Sequence, residues 1–172
     1  MSPVWGRAVV AGLWVLTAVI LQVVVLSRLP LPGATPDLVL VVVAGWALRR
    51  GSVEGGIIGF AAGLLVGLAP PAVGPLGLTA VVLCVVGYLV GLVADDGQRS
   101  SLTPLVVVAV AGVVSVTLFA GLAVIIGTPP VTWSELARQF PGQVLYTVLL
   151  ALVVLPALSA SIRRFEPSTS RW

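Results

Sequence analysis

The chain has 172 residues, 59% of them hydrophobic and 9% charged. A water-facing domain of that length carries about 25% charged residues, so the composition excludes a soluble globular protein and reads as an integral membrane protein. The net charge of +3 comes from nine arginines and no lysine, a balance that marks the cytoplasmic side of a membrane protein and calls for no nucleic acid.

Uncharged runs predict an all-α fold, a single transmembrane domain over 1–172. Its six spans fall at 7–27, 36–50, 53–69, 76–93, 104–126 and 142–161. The first follows Arg7 and includes an apolar run of 19 residues, Ala8 to Leu26. That is longer than the roughly 7–15 residues of a cleaved signal, so it reads as a retained span. The second, in TPDLVLVVVAGWALRRG (35–51), is opened by Asp37 and closed by Arg49 and Arg50, with eleven uncharged residues between. At about 1.5 Å per residue it measures about 22 Å, short of a hydrocarbon core of about 30 Å. Pro36 fits a first helical turn. The acid then sits at the positive end of the helix dipole and the arginines at the negative end.

The third span carries Gly55, Gly59, Gly63 and Gly67, one every fourth residue. This small-residue ridge lets another backbone approach closely; Gly87 and Gly91 repeat it on the fourth span. Whether the ridge meets a sibling helix or another protein stays open at this level. ADDGQRSSLTP (94–104) is the longest cytoplasmic loop. In TPPVTWSELARQFP (128–141), Thr132 with Glu135 fits a capping box and Val131 with Leu136 a hydrophobic staple. These predict a short interfacial helix over 133–140 anchored by Trp133. Pro156 predicts a kink in the sixth span.

Six crossings with a cytoplasmic N-terminus place Arg7, Arg49, Arg50, Arg99, Arg163, Arg164 and Arg171 inside. Only Arg28 and Arg138 fall outside. Dropping either short span reverses everything after it and destroys this positive-inside bias. Both termini are therefore expected in the cytoplasm.

The chain has no histidine and one cysteine, Cys84. His-based triads and His–metal sites are excluded, as is a lysine-bearing phosphate loop. All six acids, Asp37, Glu54, Asp95, Asp96, Glu135 and Glu166, map to loops or helix ends, away from the mid-membrane positions of proton relays. The expectation is a non-enzyme with no cofactor and no metal. Gln22, Thr79, Gln143 and Thr147 fall in the outer half of the spans and form, with Asp37, a candidate outer polar cluster. Such a group is an interhelical hydrogen-bond network, a small-ligand pocket, or a docking site for a partner's transmembrane helix. Arg49 and Arg50 are candidate cytoplasmic contacts for lipid or partner.

PDLVLVVVAGWALRRG (36–51), GFAAGLLVGLAPP (59–71) and GPLGLTAVVLCVVGYLVG (74–91), in that order and spacing, resemble the MreD family of rod shape-determining membrane proteins. The positions carrying the resemblance are Pro36-Asp37, Gly59-Phe60, Gly63, Pro75-Leu76-Gly77, Gly87-Tyr88 and Gly91. The chain departs from the family pattern at Gly67, where an acid is common, and at Thr79, where Asn is common. The resemblance implies a bacterial inner-membrane scaffold of the cell-elongation machinery that binds an MreC-type bitopic protein. Further partners it implies are RodA, a class B penicillin-binding protein and the MreB filament. It also implies a six-helix transmembrane bundle like the substrate-binding subunits of energy-coupling factor transporters. The competing reading is therefore such a subunit of a vitamin-type importer, which needs an enclosed outer cavity lined by polar or aromatic side chains.

Overall fold

The computed structural model describes residues 3–24, 36–69, 77–94, 103–127 and 133–165. They form six α-helices: α1 (Pro3–Val24), α2 (Leu38–Arg50), α3 (Ser52–Leu68), α4 (Leu78–Val93), α5 (Thr103–Ile126) and α6 (Trp133–Phe165). No strand occurs among the described residues. Helices α1 to α5 fall close to the predicted spans.

The short second helix is the centre of the molecule. Every residue from Leu38 to Ala47 is buried, and α2 packs against all five other helices. A helix apolar on every face belongs in a protein core or in lipid, and one this short matches a core better than a full-thickness bilayer. Val39, Val41 and Val43 are 0% exposed, although β-branched residues are mediocre helix formers. Here packing outweighs intrinsic preference.

Inter-helix contacts give the directions. Gln22 of α1 meets Val39, while Trp46 and α1's Ala11 share one cluster, so α1 and α2 run antiparallel. Gly51 alone joins α2 to α3, and Trp46 meets Glu54 across the turn. On α6, Thr147 meets Asp37 and Leu155 and Leu158 meet Gly45, so α6 runs parallel to α2. The pairings of Gly55 with Gly87, Gly59 with Leu83 and Gly63 with Ala80 make α3 and α4 antiparallel. One end of the bundle thus holds the start of α1, the Arg49–Arg50 end of α2 and the Arg163–Arg164 end of α6.

Gly51 has φ 87° and ψ −177°, a region open essentially to glycine alone. Its N–H donates to the Ala47 carbonyl at 2.9 Å, and its own carbonyl accepts from Gly55 N–H at 3.1 Å. One residue therefore caps two helices and reverses the chain.

Residues 133–165 form one helix of 33 residues, not a separate interfacial helix over 133–140 followed by a span. Pro141 lacks the N–H that would bond the Ala137 carbonyl. That removes one bond, while extending an established helix needs no new nucleus. The helix also runs unbroken through Pro156. The Thr132 and Val131 side of the predicted cap lies outside the described residues.

Two segments, Thr103–Ile126 and the Gly142–Ser161 part of α6, are long and apolar enough to cross a membrane; Val9–Val24, Ser52–Leu68 and Leu78–Val93 are apolar but shorter. Large apolar side chains are exposed on the described helices: Ile125 is 81% exposed, Val153 71% and Leu68 68%.

Candidate functional site

Three features stand out, the first two built from residues singled out from sequence. The first is the N-terminus of α2, whose leading N–H groups have no partner within the helix. Asp37 Oδ1 accepts from Leu40 N–H at 3.0 Å, the usual N-cap bond. Gln22 Oε1 on α1 accepts from Val39 N–H at 3.0 Å, and the Gln22 side chain also hydrogen-bonds the Asp37 carboxyl. Thr147 Oγ1 on α6, 2% exposed, accepts from Asp37 N–H at 3.1 Å. It donates its own proton to the Gln143 carbonyl at 2.7 Å.

Gln22, Asp37 and Thr147 thus cap the central helix from three sides, and Gln143 joins through its backbone. Leaving such buried donors unmet costs about 1–3 kcal/mol each, which gives these polar residues a structural reason to be there. Thr79 is tied to this group by no hydrogen bond among the described residues. Its carbonyl instead lies against Gly63.

The second feature is the glycine ridge. A Cβ on Gly59 would run into the Leu83 carbonyl, one on Gly63 into Ala80 and the Thr79 carbonyl, and one on Gly55 would lie 2.6 Å from the Gly87 carbonyl oxygen. From the α4 side, Gly87 faces the Gly55 backbone and Gly91 faces Gly51 and Ser52. These five glycines bring α3 and α4 into backbone contact, so the ridge meets a sibling helix. Against α2, Gly55 packs on Ala47 and Gly87 on Val43. Gly67 lies at the open end of the seam, with Gly77 N at 4.0 Å from its would-be Cβ.

The third feature was not singled out from sequence. Between α1 and α3 runs a lateral groove of about 460 Å³. Ala11, Gly12, Val15 and Leu16 form one wall, and Glu54, Ile57, Ile58, Ala61 and Leu65 the other; Trp46 of α2 is the floor. Trp46 is 2% exposed, and its Nε1–H donates to Glu54 Oε2 at 3.4 Å. The α3 wall recurs at three- and four-residue spacing, on a face separate from the glycine ridge. That stripe was the available signal; the more regular glycines on the same helix obscured it. Gly12 belongs to no internal seam, since a Cβ there would meet nothing within 4 Å. Arg49, exposed, and Arg50, half-buried, close α2 at the Glu54 end of this groove.

No family, no curated protein and no solved structure matches the chain. Among the described residues, no three His, Cys, Asp or Glu side chains come together as metal ligands would.

Proposed function

We propose that the chain is a six-span scaffold of the bacterial inner membrane, of the MreD type, that holds an MreC-type bitopic partner and helps organise peptidoglycan synthesis in cell elongation. RodA, the class B penicillin-binding protein and the MreB filament are the further partners this reading carries. Both termini lie in the cytoplasm.

Membrane insertion is supported by the apolar exterior and by the antiparallel order of α1 to α4, with α6 parallel to α2. This order gathers positions 7, 49, 50, 163 and 164, all arginine, at one end, as the positive-inside rule asks of a cytoplasmic face. Helix α2, about 20 Å long, reaches less far than the hydrocarbon thickness. Enclosure by five helices spares it contact with the lipid it is too short to match.

The observation that carries the scaffold reading over the importer subunit is the use made of the outer polar residues. Gln22, Asp37 and Thr147 are engaged in capping α2, where a ligand pocket would need them facing a cavity. The test is co-expression with the MreC-type protein of the same genome and purification in mild detergent. Stoichiometric co-purification is expected. A chain that emerges alone with one tightly held small metabolite would favour the importer subunit.

A further inference from the structure

We propose that the groove between α1 and α3 is a binding site for one acyl chain of an anionic phospholipid of the cytoplasmic leaflet. Its headgroup would be set against Arg49 and Arg50. The inference rests on the membrane orientation given above and is independent of the protein partner.

The length and lining suit a lipid tail. The groove follows α3 from Glu54 to Leu65, about 16 Å of helix rise, and runs along the helix axis as an extended acyl chain lies in a bilayer. The walls are aliphatic, and the lone carboxylate among them, Glu54, holds the floor indole in place.

Charge selects the headgroup. Arg50 lies four residues after Trp46, hence on the same face of α2 and one turn nearer its end. Arg49 is beside it and exposed. Among the described side chains at this end, two guanidinium groups stand against the one carboxylate of Glu54. An arginine offers five N–H donors in a planar fork, the geometry that recognises a phosphate. The cytoplasmic leaflet supplies anionic headgroups at this depth.

Gly12 supplies a selective test. Because a Cβ there meets nothing within 4 Å, Gly12→Phe has room to lay its ring in the groove and should leave the bundle folded. Delipidated protein, wild type or variant, would be incubated with vesicles of phosphatidylcholine alone or mixed with phosphatidylglycerol, then re-isolated. Native mass spectrometry counts the retained lipids. Wild type should keep one lipid per chain, enriched in phosphatidylglycerol over the vesicle ratio. Gly12→Phe should lose it with no fall in melting temperature, and Arg50→Gln should lose the enrichment.

Lipid retention in Gly12→Phe equal to wild type would overturn the proposal. So would equal retention of phosphatidylcholine by the wild type, or a Gly12→Phe defect confined to self-association or to co-purification of the bitopic partner. Loss of that partner from every form of the protein, with lipid retention intact, would instead count against the scaffold reading alone.

Discussion

Adding one carbon at position 59 should force α3 off α4. The Cβ of Gly59→Ala would lie 2.7 Å from the Leu83 carbonyl carbon, nearer still to its oxygen, and 3.2 Å from Cys84 N. All three are backbone atoms in the middle of a helix and have no rotamer by which to retreat. Relief therefore requires the two helices to separate along a seam where Gly55, Gly63, Gly87 and Gly91 are equally tight. Overpacking of this kind costs about 1–3 kcal/mol, occasionally more, and the rigid neighbours put position 59 at the upper end. Alanine recovers about 1 kcal/mol of helix propensity, leaving a net loss of about 2 kcal/mol. At about 2–4 °C per kcal/mol for a chain of this size, the melting temperature in detergent should fall by about 4–8 °C. Gly12→Ala and Gly121→Ala are the controls, because nothing lies within 4 Å of either added carbon; both should equal or exceed wild type. Gly59→Ala plus Gly63→Ala should cost less than the sum of the two, since one displacement of α3 relieves both clashes. A Gly59→Ala protein as stable as the controls would refute the close α3–α4 seam.

Gly51→Ala should cost about 1–3 kcal/mol from backbone strain alone, because its added carbon meets no atom within 4 Å; thermal unfolding beside Gly12→Ala separates strain from crowding. Thr147→Val should lower stability by about 1–3 kcal/mol by stranding the Asp37 N–H, whereas Thr147→Ser should stay near wild type in the same melt. Asp37→Ala should cost about 1 kcal/mol through the lost Leu40 cap, with Asp37→Asn recovering most of it. A reporter fused after Trp172 should be active only as a cytoplasmic fusion, and periplasmic activity there would mean an odd number of crossings.

Much of the helix pattern is legible in the sequence because apolar runs, prolines and paired arginines punctuate it so sharply. The Asp37 opening and the Arg49–Arg50–Gly51 closing place α2 within two residues of where it lies. What a hydropathy pattern cannot say is which helix sits in the middle. In a chain this apolar, every span looks equally fit to be buried, and α5 has no distinct polar face to orient it. Enclosure of α2 follows from its length and all-round hydrophobicity together, a pair of properties that reads from sequence only as a puzzle. The polar cluster was half legible. Two glutamines and two threonines at one depth imply hydrogen bonding, but their convergence on the α2 N-terminus depends on α6 running parallel to α2. Thr79 shares the depth and not the neighbours. The 133–140 segment misled because a capping box and a following proline mark a helix and its end, while a proline interrupts only one backbone bond of a helix already formed. The groove escaped notice because its residues, Gly12 and Ile57 among them, are ordinary for a membrane helix and acquire meaning only as two walls around Trp46.

Cysteine accessibility on either side of α2 decides most directly whether this helix crosses the membrane despite its length. In a Cys84→Ala background, Gly33→Cys should react with an impermeant thiol reagent added to intact spheroplasts. Val53→Cys, at an exposed position beyond the arginine pair, should react only after the membrane is opened. Labelling of both from the same side would contradict a six-span bundle.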